Sequence, residues 1–226
     1  MSVCEGHKPQ LEDAAIARAS AYKLLARCFS YPDLQLLDLF SGDIAGECVG
    51  LLASLGVDAA GGVARIAEWL DGHVSPDAAL VDLQREYTRL FINAYPRTVV
   101  PPYSSVYLDT ERRVWGASTA QVVRMYEAAE VGVTEDFHDI PDHIAAEMEF
   151  GCYLAQQSMG QGQSGQNAPD LASIVIGFLR DHLLRWAPLF LPQVSQLTIS
   201  QFYREIAEIG FSFLQREAQR VGASIP

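Results

Sequence analysis

The apolar residues of this chain recur mostly every three or four positions, which is the spacing of one face of an α-helix. Between Leu11 and Ser30 they form a continuous stripe that ends at Tyr31-Pro32, because proline disfavours helix in the residue before it. The same spacing predicts a last helix from Ser200 to Val221. No run alternates between apolar and polar residues as a half-buried strand does. The pattern therefore predicts an all-α fold, with a single globular helical domain over residues 1–226.

Start and stop signals divide the rest of the chain into helices. Ser75-Pro76-Asp77 offers a capping serine followed by a proline and an acid in the first turn, and its helix should reach Phe91 or Ile92. Ser118 is predicted to cap another helix. The further predicted helices span residues 33–40, 43–55, 64–70, 118–129 and 169–186, with one more that opens at Pro141.

Glycine and proline mark the predicted connections. Residues 93–109 contain Pro96, Pro101 and Pro102, so they are predicted to be a long ordered loop without regular helix. Pro188 and Pro192 are predicted to break the chain after the helix at 169–186. Residues 57–62 are predicted to be a loop, and the Gly, Gln and Ser content of residues 158–168 predicts a flexible connector.

The helix that opens at Pro141 carries the most informative polar residues. Asp139 or Asp142 is a candidate cap at its positive end, and His143 and Glu147 follow on one face, beside an apolar stripe that includes Ile144. This pattern predicts a polar site at the mouth of a helical bundle. The same residues also fit a plain cap and a surface pair one helical turn apart.

Charge and composition restrict the classes of partner. The 226 residues carry a formal net charge of −12, which disfavours binding to nucleic acid or to anionic membranes and favours cationic partners. The longest apolar run, Leu171 to Leu179, is about half of the roughly 20 residues that cross a bilayer. The four cysteines form no C-x-x-C pair, which favours a reducing compartment. We expect a cytoplasmic protein without membrane insertion.

A metal site is the first chemistry that these residues suggest. His138, Asp139, Asp142, His143 and Glu147 lie close together in the sequence and are all metal-ligand types. However, the chain has no H-E-x-x-H motif, and a glycine-rich phosphate loop is also absent. A metal-dependent helical enzyme that uses His138, His143 and nearby carboxylates is therefore the alternative to a binding protein.

Four segments together resemble one family. Residues 86–91 read Glu-Tyr-Thr-Arg-Leu-Phe, residues 101–107 read Pro-Pro-Tyr-Ser-Ser-Val-Tyr, and residues 141–144 read Pro-Asp-His-Ile. A late segment with Phe178, His182 and Trp186 follows in the same order. This combination resembles the TorD/DmsD/NarJ family of cytoplasmic chaperones.

The resemblance implies an all-helical protein that is not an enzyme and carries no cofactor. Family members bind the twin-arginine signal peptide, and often the body, of the apo catalytic subunit of a molybdopterin-containing oxidoreductase, and they delay its export until the molybdenum cofactor is inserted. Some members exchange domains. The resemblance therefore implies a monomer or a domain-swapped dimer, with residues 131–141 as the candidate hinge.

The resemblance implies site residues at the Pro-Asp-His and Pro-Pro-Tyr motifs, and the chemistry of the side chains suggests further residues and the role of each. Asp142 would accept an arginine of the peptide, His143 would be a hydrogen-bond partner, and Pro141 would shape the site. Glu147 would be a second acidic contact. Tyr87, Phe91 and Tyr103 would form an apolar wall, and Pro101, Pro102 and Tyr103 would line the adjacent loop. The full predicted set is Asp142, His143, Pro141, Glu147, Tyr87, Phe91, Pro101, Pro102 and Tyr103.

Overall fold

Helices account for every regular element in the part of the chain that the structure describes. This computed structural model describes residues 8–93, 98–132, 140–160 and 170–226. The predicted all-α class is confirmed there. The helices are α1 (Lys8–Cys28), α2 (Leu34–Asp38), α3 (Gly42–Ser54), α4 (Ala60–Asp71), α5 (Pro76–Tyr87), α6 (Ser104–Leu108), α7 (Ala117–Ala128), α8 (Ile144–Gly160), α9 (Leu171–Phe178), α10 (Leu184–Leu197) and α11 (Gln201–Val221), and π-helical turns at Thr88–Ile92 and Leu179–Leu183 extend α5 and join α9 to α10.

Two pairs of long helices form the centre of the fold. Helix α1 packs along α8, and α10 packs along α11. Gly151 of α8 permits the first pairing, because a Cβ atom there would lie 2.6 Å from ring carbons of Tyr22 in α1. The Tyr22 ring in turn meets the Phe213 ring of α11 edge-on at 4.8 Å. Aromatic packing therefore joins the two pairs into one core.

Helix α5 begins as predicted. Ser75 accepts a hydrogen bond from the backbone N–H of Ala78 at 3.2 Å, and Pro76 occupies the first turn. The helical conformation continues through the π-helical turn to Ile92. Helix α7 differs from the prediction, because its cap comes from Asp109 rather than from Ser118. The Asp109 carboxylate accepts from the backbone N–H of Ser118 at 3.2 Å.

Two predicted loops contain helix. Helix α4 begins at Ala60, within the loop predicted at 57–62, because Gly62 packs closely against α11, where a Cβ would lie 3.1 Å from side-chain atoms of Glu205 and Ile209. The loop predicted at 93–109 contains α6, so the prediction of no regular helix there is wrong. The side chain that caps α6 comes from a distant part of the chain, as described below.

The prediction that Pro188 and Pro192 break the chain is also wrong, since both lie inside α10. A proline inside a helix costs about 3 kcal/mol, whereas each fully buried large apolar side chain contributes about 1.5–3 kcal/mol. Trp186, Phe190 and Leu191 are completely buried in this helix. Core packing therefore outweighs the local preference of the prolines.

Parts of three other predictions lie outside the described residues. The candidate hinge at 131–141 includes residues 133–139, and the connector at 158–168 is described only to residue 160, where α8 ends. The helix predicted from Pro169 begins at Leu171, after the capping residue Asp170. Within the described residues, no helix is both long and apolar enough to span a bilayer.

Candidate functional site

Two segments that are almost 40 residues apart meet side by side, and we call this contact the junction (residues 101–105 and 140–144). The backbone N–H of Ile144 donates to the carbonyl of Pro102 at 2.8 Å, and the N–H of Ser104 donates to the carbonyl of Asp142 at 3.0 Å. Tyr103 and His143 lie opposite each other in an isolated antiparallel bridge. The structure therefore brings together six of the nine predicted site residues, namely Pro101, Pro102, Tyr103, Pro141, Asp142 and His143.

Asp142 is completely buried within the junction. Its Oδ2 accepts from the backbone N–H of Ser105 at 2.9 Å, and the Ser104 hydroxyl lies 3.4 Å from the same oxygen. Asp142 therefore caps α6, across the junction, rather than the helix that follows it in sequence. Its other oxygen, Oδ1, is buried and has no hydrogen-bond partner among the described residues.

His143, not Asp142, provides the side-chain cap of α8. Its Nδ1 accepts a hydrogen bond from the backbone N–H of Ala145 at 3.1 Å, so the neutral ring carries its proton on Nε2. The ring of Tyr103 meets the His143 ring edge-on at 5.3 Å. The predicted capping function at this helix start is thus present, but the histidine performs it.

The outer side of the junction is formed by proline and tyrosine. Pro101, Tyr103 and Pro141 are half-buried, whereas Pro102 is buried. The carbonyl of Pro141 accepts from the hydroxyl of Tyr126 in α7 at 2.8 Å. This bond fixes the segment before α8 against α7 and leaves an apolar rim above the buried Asp142 carboxylate.

Glu147 lies below the junction with no exposed side-chain surface. Its Oε1 is 2.7 Å from Nε2 of His182, and its Oε2 accepts from Nε1 of Trp186 at 2.8 Å. Both oxygens therefore have partners within the chain, so Glu147 does not face solvent as the predicted second acidic contact would. Its structural effect in this conformation is to join α8 to the π-helical turn and to α10.

Burial and mutual attraction shift the titration of this pair. Burial raises the pKa of Glu147, although His182 and Trp186 oppose the shift. Burial by itself lowers the pKa of His182, but the charge and hydrogen bond of Glu147 outweigh it and the pKa is raised. The charge of Asp142 also raises the pKa of both groups. The two buried carboxylates and the histidine thus form one electrostatically coupled cluster.

Several polar atoms around this cluster are buried without a hydrogen-bond partner among the described residues. They are Asp142 Oδ1, His182 Nδ1, Ser105 Oγ and Tyr107 Oη. Such atoms are rare in native proteins, because each costs about 1–3 kcal/mol. The Tyr107 ring packs on Trp186 at 5.5 Å, which connects the junction with the Glu147 pair. Each of these atoms can make a further hydrogen bond with a group that enters the cluster.

Tyr87 and Phe91, the predicted apolar wall, lie deeper in the core. Their rings are 5.0 Å apart, and both residues are buried. The Phe91 ring also contacts Phe190 at 6.0 Å, and Phe190 meets Tyr107 at 6.2 Å. The two rings are thus connected to the junction through other aromatic residues, and they support it rather than form its surface.

The alternative metal site involves residues outside the described part of the chain, since His138 and Asp139 lie in 133–139. Among the described residues, no group of three or more metal-ligating side chains is placed to hold an ion. His143 Nδ1 and both Glu147 oxygens have the partners given above.

Sequence reasoning did not include Ser105, Tyr107, His182 or Trp186 among the site residues. His182 and Trp186 were noted only as part of the late segment of the resemblance. Their spacing of four on one helical segment places both ring N–H groups on one face, which is a usable signal for a shared acidic partner. The identity of that partner, Glu147, depends on the fold.

Comparisons with known proteins give a consistent result. The family model described as "Nitrate reductase delta subunit" matches residues 55–191, which is more than half of the chain and includes the junction. A Haemophilus influenzae protein described as "Probable Tat proofreading chaperone DmsD" is 29% identical over 147 residues, and the match covers 64% of this chain and 64% of that relative. The "Selenate reductase assembly chaperone protein" of Thauera selenatis is 28% identical over 182 residues, covering 80% of this chain and 78% of its own.

A crystal structure of a candidate redox enzyme maturation protein from Archaeoglobus fulgidus is similar over 88% of this chain and 93% of its own, with 24% sequence identity and a TM-score of 0.49. The names of the relatives describe chaperones and not enzymes. From the family match, the chain belongs to the nitrate reductase delta subunit family, that is, to the TorD/DmsD group of redox enzyme maturation chaperones.

Proposed function

We propose that this protein is a cytoplasmic maturation chaperone and not an enzyme. It binds the twin-arginine signal peptide and the apo form of the catalytic subunit of a molybdopterin-containing oxidoreductase, assists cofactor insertion and delays export. The names of its relatives, a Tat proofreading chaperone and a selenate reductase assembly chaperone, support this class of function. The net charge of −12 favours a cationic peptide as the partner.

The observation that carries the proposal is the free oxygen of Asp142. Oδ1 is buried and unpartnered among the described residues, while Oδ2 is held by the backbone of Ser105. A guanidinium group forms its strongest hydrogen bonds with a carboxylate, and the bond strengthens where water is excluded. An arginine of the peptide would satisfy Oδ1, and the apolar rim of Pro101, Tyr103 and Pro141 would contact the residues beside it.

Access to Asp142 requires the junction to open. The two backbone hydrogen bonds that close it contribute about 0.5–1.5 kcal/mol each. Helix α6 has only five residues, so it depends on the Asp142 cap and on packing rather than on its own helix propensity. The segment at 101–108 is therefore the part of the site that moves most easily, and we infer that it gives way to the peptide.

Some features of this function stay predictions. We expect a monomer or a domain-swapped dimer, with the exchange at residues 131–141. Glu147 supports the site from below through His182 and Trp186, and in the closed conformation it does not contact the peptide.

Co-purification tests the proposal. The tagged protein is isolated from its native host during anaerobic respiration, and the bound proteins are identified by mass spectrometry. We expect an unprocessed molybdoenzyme catalytic subunit with wild type, and its loss with Asp142→Asn. The matched control is Glu149→Gln, which removes one exposed negative charge from α8, the helix that follows Asp142. If no such subunit is recovered while the candidate enzymes are expressed, the proposed function is wrong.

A further inference from the structure

Outside the junction, two arginines contact a single buried glutamate, and a third arginine lines the same groove. Arg18 lies in α1, and Arg216 and Arg220 lie in the last turns of α11. Together with Glu217 they line an open groove of about 500 Å³ between α1, α11 and the end of α3. Among the described residues that line this groove, Glu217 is the one acid. The groove therefore carries an excess of positive charge in a protein whose net charge is −12.

Glu217 neutralises only part of this charge. Its Oε1 accepts from Nε of Arg220 at 3.0 Å and lies 3.3 Å from Nε of Arg18. Its Oε2 accepts from Nη2 of Arg220 at 2.8 Å and from the Tyr22 hydroxyl at 3.0 Å. All the acceptor capacity of one carboxylate is thus shared between two guanidinium groups and a tyrosine. Because Glu217 carries a single negative charge, one of the two positive charges on Arg18 and Arg220 is not neutralised.

The guanidinium group of Arg18 has further hydrogen-bond donors available to a ligand. Neither of its terminal nitrogens has a hydrogen-bond partner among the described residues, and its side chain is 21% exposed. Burial lowers the pKa of Arg18, and the charge of Arg220 lowers it further, while Glu217 opposes both. A second anion beside Arg18 would stabilise the charged form of its guanidinium group.

Arg216 adds a third guanidinium at the rim. Its Nε donates to the carbonyl of Gly56 at 2.8 Å and its Nη1 donates to the side chain of Gln219 at 3.2 Å. These bonds hold the guanidinium over the groove and leave Nη2 unpartnered among the described residues. Each of the three guanidinium groups thus has at least one contact within the chain, which reduces the side-chain entropy that is lost when a ligand binds.

We propose that this groove binds a phosphate-bearing small molecule, with Arg18, Arg216 and Arg220 contacting the phosphate oxygens. Guanidinium groups match phosphate geometry through paired hydrogen bonds. The apolar side of the groove, formed by Leu55 and Phe213, accommodates an organic portion, and the volume lies within the usual range of small-molecule sites.

Calorimetric titration of the full chain with inorganic pyrophosphate, at constant ionic strength in chloride buffer, tests this site. We expect saturable binding to wild type, weakened at least tenfold by Arg18→Gln and several-fold by Arg216→Gln. The control Arg113→Gln changes an exposed arginine outside the groove and should bind as wild type. The Arg216 side chain donates to Gly56 and Gln219 and not to Glu217, so Arg216→Gln tests the site even if Arg18→Gln fails to fold.

Two further readouts complete the test. In wild-type protein, the Nε–Hε resonances of Arg18 and Arg220 should shift with pyrophosphate, whereas citrate at equal concentration should bind more weakly. The proposal is overturned if pyrophosphate does not bind or if the arginine variants bind it as wild type does. Equal binding of citrate overturns the assignment of phosphate. None of these results depends on the junction or on its peptide.

Discussion

Glu147 and His182, 35 residues apart in the chain, lie 2.7 Å from each other with no exposed side-chain surface. The pair joins α8 to the π-helical turn between α9 and α10, directly below the junction. Because both groups are removed from water, their interaction is sensitive to the loss of either partner and to protonation. The position of Asp142, which lies two residues before α8, therefore depends in part on this buried pair.

Removing Glu147 should destabilise the fold strongly. In Glu147→Ala, the ring nitrogens of His182 and Trp186 lose their buried acceptor, so we expect the free energy of unfolding to fall by about 3–5 kcal/mol. Urea denaturation of the single variants and of the double variant with His182→Ala measures the coupling, expected at about 1–3 kcal/mol. Purely additive losses would show that the pair does not act as a unit.

Stability should decrease as the pH rises above neutrality. The pKa values of His182 and Glu147 are both raised by folding, so the native state binds protons more tightly than the unfolded state. The contribution of His182 is complete below its unfolded pKa of about 6.5 and is lost as the pH rises through its folded pKa. Urea unfolding at several pH values from 6 upward should show a falling free energy of unfolding. In His182→Gln, the free energy of unfolding should fall less over the same pH range. A fall equal to that of wild type would contradict the assignment of this pH dependence to His182.

Asp142→Ala should reduce stability as well as binding. The Asp142 carboxylate accepts a hydrogen bond from the buried N–H of Ser105, and its loss should cost about 1–3 kcal/mol. Asp142→Asn keeps an oxygen acceptor for that N–H and should cost clearly less. Thermal denaturation of both variants checks this difference. Equal midpoints for the two variants would mean that the cap of α6 contributes nothing.

The close approach of α1 and α8 should be sensitive to one methyl group. Gly151→Ala places a Cβ 2.6 Å from the Tyr22 ring, so we expect a loss of about 1–3 kcal/mol from overpacking. The matched control is Gly50→Ala in exposed α3, where nothing lies within 4 Å of the new Cβ and a gain of about 0.5–1 kcal/mol is expected. Denaturant midpoints compare the two. A neutral Gly151→Ala would show that α1 shifts without cost.

The sequence predicted the helical class and most helix positions, because the apolar stripes and the Ser75-Pro76 start are local signals. It failed at Pro188 and Pro192, where the burial of distant partners outweighs a local preference. It also failed at α6, whose cap, Asp142, is 37 residues from Ser105. Tertiary contacts of this kind leave no local signal in a single chain.

Only part of the candidate site was predictable, because the burial and the partners of its residues depend on tertiary contacts. The resemblance grouped Pro101, Pro102 and Tyr103 with Asp142 and His143, and the structure places these residues in contact at the junction. It did not indicate that Asp142 is closed off by backbone hydrogen bonds, since burial depends on how the segments pack. Nor did it indicate the internal partners of Glu147, which only the arrangement of α8 against α10 supplies.

The most direct measurement is the affinity for a fluorescent twin-arginine signal peptide of the co-purified client, determined by fluorescence anisotropy with wild type, Asp142→Asn and Glu149→Gln. A lysine-substituted peptide serves as the ligand control, because lysine keeps the charge but not the paired donors. We predict that Asp142→Asn weakens binding of the arginine peptide at least tenfold and that Glu149→Gln leaves this affinity unchanged. The affinity for the lysine-substituted peptide should also differ between these two variants. Equal affinity of wild type and Asp142→Asn for the arginine peptide would contradict the assignment of the junction as the peptide site.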